Sequence, residues 1–219
     1  MAIGKGRAGR GGRGGSAPDA RRRLLESALA LFTRKGYAAA SVREIVEAAG
    51  VTRPVLYYYF GNKEGLFLEL MGEPLARYES LLAETRDGGA DARSRIRALC
   101  SRAWLLFREN VWHARLMYAI YYGPPQGAPF VDFDQVHASF RGAVEALLAE
   151  GIAAGEFRDG DRTAMLWSVV GAVNVAMEVE LCHPDLSLGE KGLDAVLDVI
   201  FRGMERQRRP SPSVKGTKR

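Results

Sequence analysis

The stretch Gly50-Val51-Thr52-Arg53-Pro54-Val55-Leu56-Tyr57-Tyr58-Tyr59-Phe60-Gly61-Asn62-Lys63-Glu64 decides how the rest of the chain is read. Gly50 supplies the positive φ that ends a preceding helix, and Val51 plugs the corner of a tight turn. Thr52 is placed to cap the next helix. Pro54 prefers the first helical position and restricts Arg53 before it, which leaves the start open by one residue. About two turns follow at roughly 3.6 residues per turn, with Leu56 and Phe60 on one face and Arg53, Pro54, Tyr57 and Tyr58 on the others. A short helix with three adjacent tyrosines and an arginine is poorly suited to full burial and well suited to a groove. Arginine near its N-terminus can bond guanine edges, the carbons of Pro54 and Val55 can touch thymine methyls, and tyrosine hydroxyls can reach phosphates. Lys63 follows as a phosphate clamp at the start of another helix, where backbone N–H groups also favour an anion. The competing reading makes the tyrosines an aromatic wall between two domains.

The flanks support the groove reading. Asp19 and the Arg21-Arg22-Arg23 run open a helix with Leu24, Leu25, Ala28, Leu31 and Phe32 at helical spacing, ended by Lys35-Gly36-Tyr37. Arginines there oppose the helix dipole, so they serve either phosphates or solvation. Ser41 caps a short helix, Glu44 completes a capping box, and Val42, Ile45, Val46 and Ala49 form its apolar face. Residues 20–64 are therefore three short helices with a tight turn between the second and third, a DNA-binding arrangement.

These residues also carry a family resemblance. Leu24-Leu25, Ala28, Leu31-Phe32, Gly36-Tyr37, Ser41-Val42, Ile45, Ala48-Ala49-Gly50-Val51-Thr52, Leu56-Tyr57-Tyr58-Tyr59-Phe60 and Asn62-Lys63-Glu64-Gly65-Leu66 resemble the N-terminal domain of tetracycline-repressor (TetR) type regulators. The resemblance implies an all-α, cytoplasmic homodimer: an N-terminal three-helix helix-turn-helix domain followed by a C-terminal helical ligand-binding and dimerisation domain. Carried over by position, Arg53, Pro54, Tyr57 and Tyr58 would face bases or sugars. Ser41, Tyr59 and Lys63 would hold phosphates, Arg43 would reach a base from the second helix, and Thr52 and Val55 complete the set. Many relatives have glycine and threonine where this chain has Pro54 and Val55, so one phosphate bond from a hydroxyl is lost here.

Composition bounds the rest. The chain has 219 residues, 47% of them apolar, enough for a buried core. Its net charge of +5 is concentrated at the ends: residues 1–23 carry seven Lys/Arg against one Asp, and residues 202–219 seven against one Glu. Removing these from the totals of 31 and 26 leaves 17 basic and 24 acidic residues between, a net of −7. A basic groove along the whole protein is not supported by this balance, while a local DNA contact remains open. Cys100 and Cys182 lie far apart, and His113, His137 and His183 show no ligand spacing. The expectation is a reduced, cytoplasmic protein with no metal site, no cofactor and no membrane partner. The organisation expected is a Gly/Arg arm over 1–17, the helix-turn-helix domain over 18–64, the helical second domain over 65–206 and a basic tail over 207–219. The arm is either a non-specific electrostatic contact or a solvated tail.

In the second domain, a helix from 63 to about 85 carries Leu66, Phe67, Leu70, Leu75, Tyr78, Leu81 and Leu82 inward, and Pro74 is expected to kink or interrupt it. Further helices are read at 93–109, 111–122, 130–154 and 161–183, with a last one carrying Leu193, Val196, Leu197, Ile200, Phe201 and Met204. The 161–183 helix is apolar around its full circumference and needs cover on all sides. Val169, Val173 and Ala176 on it, with Leu193, Val196, Leu197, Ile200 and Phe201 on the last helix, are expected to form a four-helix dimer interface. Trp104, Phe107, Tyr118, Tyr121, Tyr122, Phe140, Met165, Trp167 and Met177 exceed what simple packing demands and suggest a pocket. Each is also compatible with plain core. His113, Gln135, Asn174 and Glu178 are polar positions able to orient a neutral or cationic apolar or aromatic ligand, or simply exposed.

The leading expectation is a homodimeric repressor released from a palindromic double-stranded DNA operator by a small effector. The alternative is a DNA-binding activator or architectural protein with no effector. No phosphate loop, nucleophile elbow or paired His/Cys/Asp constellation is present in the sequence, so no catalytic residue is assigned and an enzyme is not expected.

Overall fold

The computed structural model describes residues 17–86 and 91–205. The Gly/Arg arm up to residue 16, residues 87–90 and the basic tail lie outside the described residues. The described residues are all-α. The helices are α1 (Ala17–Lys35), α2 (Val42–Ala48), α3 (Arg53–Phe60), α4 (Lys63–Arg86), α5 (Ala92–Glu109), α6 (Val111–Tyr121), α7 (Phe133–Ala153), α8 (Arg162–Cys182) and α9 (Gly189–Met204). They divide into two compact units: residues up to Leu70 together with Pro124–Pro129, and Met71–Gly123 with Phe130 onward.

In the first unit, Leu24, Ala28, Leu31 and Phe32 of α1 bury the stripe their spacing implies, against Ile45, Leu56, Phe60, Leu66 and Phe67. Phe32, Tyr37 and Phe67 form a ring triad with centroids 5.2–5.9 Å apart. The arginine run is engaged inside this unit. Arg21 pairs with Glu69, Arg22 with Asp19 and Glu26, and Arg23 with Asp19 at 2.5 Å. Arg23 also donates to the Ala49 carbonyl at 3.0 Å, where a cation suits the C-terminal end of α2.

In the second unit, α5, α7, α8 and α9 surround a continuous core that includes Ile96, Leu99, Trp104, Val144, Leu148, Val169, Val173, Leu197 and Phe201. Three helix starts are set by aspartate caps: Asp91 accepts from the Ser94 N–H, Asp132 from Gln135 and Asp161 from Ala164. The Asp132 cap begins α7 at Phe133, three residues later than the sequence suggests, and Phe130 stays 85% exposed ahead of it. Pro74 does not interrupt α4, which is assigned as a single helix through it. By length and composition α8 is apolar enough to cross a membrane, but its Met165, Val169, Val170, Val173 and Ala176 are buried in this unit's core.

Candidate functional site

The first candidate surface is built by local hydrogen bonds. Ser41 caps α2: its hydroxyl oxygen accepts from the Glu44 N–H at 3.3 Å, and the Glu44 carboxylate accepts from the Ser41 N–H at 3.0 Å. At the other end Gly50, with φ of +61°, donates to the Glu47 carbonyl, and Val51 donates to Val46 at 3.0 Å. These two bonds are a Schellman motif, and they turn the chain into α3. Thr52 occupies the cap position of α3, but its hydroxyl makes no capping bond, contrary to expectation. Leu56 and Phe60 are buried, so the opposite face of α3 points outward. Tyr58 is 82% and Tyr57 50% exposed, Arg53 and Pro54 are exposed, and Val55 and Tyr59 are half-buried. Ser41 and Arg43 are exposed on α2.

Glu44 bonds the Lys35 ammonium at 2.5 Å and accepts from the Ser41 hydroxyl at 2.7 Å. The Lys35 bond first, and then the Ser41 hydroxyl and N–H, hold its carboxyl at about 2 instead of 4.5. A folded value below the unfolded one gives a contribution that is full above pH 4.5 and lost as pH falls toward 2. Glu44→Gln is therefore expected to flatten the acid side of the stability–pH curve by up to one proton across that window. Urea unfolding followed by circular dichroism at successive pH values checks this, and an unchanged slope would refute the assigned role.

Lys63 opens α4 with its ammonium on the Tyr37 carbonyl at 2.6 Å and 4.1 Å from the centre of the Tyr37 ring. Partial burial, and then the neighbouring Lys35, push its pKa down. The amine is thus fixed in place at the N-terminus of the helix, with one of its three donors committed.

The second candidate site is a half-open cavity of about 690 Å³ in the second unit. Ten residues singled out in the sequence line it: Phe107, His113, Tyr118, Tyr121, Tyr122, Phe140, Trp167, Asn174, Met177 and Glu178. Trp104 and Met165 do not; both are buried among core side chains. Gln135 also lies outside it, exposed and bonded to Ser139. Sequence reasoning missed Asp134, His137 and Arg141, which recur on one face of α7 and line the same cavity. Their three- and four-residue spacing was the available signal. Burial lowers the pKa of both His113 and His137, with Arg141 adding to the effect at His137, so both imidazoles are neutral near pH 7. Tyr121 donates to Asp134, and its ring lies 5.5 Å from that of His137.

The expected dimer residues need correction. Val169, Val173, Ala176, Leu193, Leu197 and Phe201 are buried in the chain's own core with residues of α5 and α7, and present no surface to a partner. Val196 and Ile200 are half-buried. The outward faces of these helices carry instead Trp167, Val175 and Val199, each more than half exposed.

Residues 24–70, which hold the first site, match the family model described as bacterial regulatory proteins, tetR family. The chain is 39% identical over 66 residues to the HTH-type transcriptional repressor AcnR of Corynebacterium glutamicum, an overlap of 30% of this chain and 35% of AcnR. The chain thus spans about a third of the length of that relative. It is 27% identical over 146 residues to the HTH-type transcriptional repressor KstR2 of Rhodococcus jostii, covering 63% of this chain and 68% of that one. The fold resembles the crystal structure of the TetR family transcriptional regulator PfmR from Thermus thermophilus. The TM-score is 0.65 at 27% identity, over 84% of this chain and all of PfmR. The capped, Schellman-turned α2–α3 pair within residues 24–70 thus belongs to a tetR-family domain of bacterial regulatory proteins, and the chain as a whole shares the fold of PfmR.

Proposed function

We propose that the protein is a sequence-specific DNA-binding transcriptional regulator, a homodimeric repressor released from a palindromic operator by a small effector. The observation that carries this is the outward face of α3, where Arg53, Pro54, Tyr57 and Tyr58 stand exposed above a buried Leu56 and Phe60. In a dimer, two such helices about 34 Å apart enter successive major grooves. The repressor sense is supported by AcnR and KstR2, both repressors by name. The exposed Val175 and Val199 of α8 and α9 supply apolar surface for a second copy. The cavity takes the effector, an apolar or aromatic molecule. Asp134 and Glu178 set two carboxylates against one guanidinium, Arg141, and with two neutral imidazoles they favour a neutral or cationic ligand.

Selection of bound sequences from a random DNA pool at physiological salt tests the reading. A palindrome with half-sites about one helical turn apart is the expected result; recovery of no consensus overturns it. On that operator, Lys63→Met keeps the stem against Tyr37 and removes the charge. It is expected to weaken binding to specific and non-specific DNA about equally and to reduce the log–log salt slope by about 0.9 for each phosphate that Lys63 neutralises. An unchanged slope assigns Lys63 a structural role alone.

A further inference from the structure

The loop between α6 and α7 leaves the second unit at Gly123 and re-enters it at Phe130, and Pro124–Pro129 between these points packs as part of the first unit. One anchor of this segment is a hydrogen bond in which the Gln126 side-chain oxygen accepts from the Tyr37 N–H at 2.9 Å, 89 residues away in sequence. Gly36 has φ of +85°, and an added Cβ would lie 2.5 Å from that same oxygen, so a side chain there would meet the bond directly. The Tyr37 carbonyl is held by Lys63 at 2.6 Å. Tyr37 is therefore gripped at both backbone polar groups, once by the loop and once by the residue that opens α4, three positions after α3 ends at Phe60.

Both ends of the loop arise in the cavity wall. Tyr121 and Tyr122 line it just before Gly123, and Asp134 and His137 line it just after α7 begins. The Tyr121 hydroxyl donates to Asp134, clasping the two ends together. An occupant that takes either partner of that bond, or separates the Tyr121 and His137 rings, alters the path of the loop that carries Gln126.

We propose that Gln126 is the regulatory latch through which occupancy of the cavity reaches the DNA-reading helices: an effector opens the Tyr121–Asp134 clasp and weakens the bond from Gln126 to Tyr37. The inference rests on the cavity being the effector site. Because coupling between sites is reciprocal, deleting the latch tightens binding in the cavity by the same factor that binding weakens the latch.

The test uses the full chain and N-phenyl-1-naphthylamine, a neutral aromatic dye whose fluorescence rises on binding. Gln126→Ala is expected to bind the dye roughly two- to tenfold more tightly than the unaltered chain, the range set by one neutral hydrogen bond. Gln126→Glu keeps an acceptor oxygen and is expected to retain the original affinity. Dye binding should accelerate amide hydrogen exchange in the peptide containing Tyr37 of the unaltered chain and leave it unchanged in Gln126→Ala. Equal dye affinity in the unaltered chain and Gln126→Ala overturns the latch and leaves the cavity reading standing. Absence of any dye binding to the unaltered chain removes the cavity reading and the latch with it.

Discussion

Gly65→Ala is expected to destabilise the first unit by about 1–3 kcal/mol, the range of extra atoms forced into a closely packed site. Gly65 is the third residue of α4, and its N–H donates to the Asn62 side chain at 2.7 Å in a helix cap. A Cβ built there would lie well inside 3.0 Å of the Phe60 carbonyl oxygen, a separation Cβ atoms essentially never show, and 3.2 Å from the carbonyl carbon. The obstacle is backbone at the last residue of α3, so no rotamer change relieves it. The first turn of α4 must move away from the reader helix, and Leu66 and Phe67, both fully buried, must move with it. Gly72→Ala supplies the control in the same helix. Nothing lies within 4 Å of its Cβ position, and alanine is the better helix former by roughly 0.5–1 kcal/mol, so that substitution is expected to be neutral or stabilising. Thermal unfolding followed by circular dichroism separates the two. Equal melting temperatures for both variants would show that the close approach of α4 to Phe60 does not hold in solution.

Arg53→Ala is expected to weaken operator binding by about 1–3 kcal/mol per half-site, roughly five- to 150-fold, and to relax the base preference at one position. Arg53 is the first residue of α3, exposed, with Pro54 fixing the backbone behind it and Tyr57 and Tyr58 beyond it on the outward faces. It makes no contribution to the buried face formed by Leu56 and Phe60, so the melting temperature should not change. Competition binding against operators altered one base pair at a time checks both parts. The same affinity and the same preferences in the variant would remove Arg53 from base recognition. A uniform loss on all sequences would make it a phosphate contact instead.

The reader end of the chain was legible because its structure is set by groups close in sequence. The Ser41–Glu44 capping box, the positive φ at Gly50 and the burial of Leu56 and Phe60 each depend on residues no more than five apart, and each is present as expected. Failures were of the same local scale: the Thr52 hydroxyl does not cap α3, and in the second unit Asp132 begins α7 later than the apolar pattern suggests.

In the second unit the sequence determined the helices and which faces are apolar, and ten of the thirteen positions it suggested for a pocket line the cavity. Only tertiary structure decided what covers each apolar face. Val169, Val173, Leu193, Leu197 and Phe201 look the same in sequence whether a partner or the chain's own α5 and α7 bury them, and they are buried by the chain itself. Trp104 went to the core and Phe107, three residues on, to the cavity. The bond from Gln126 to Tyr37 joins groups 89 residues apart, with no local pattern to announce it. Helical periodicity records that a face avoids water, because each side chain's hydration is a property of the residue; which surface displaces that water is a property of the packed chain.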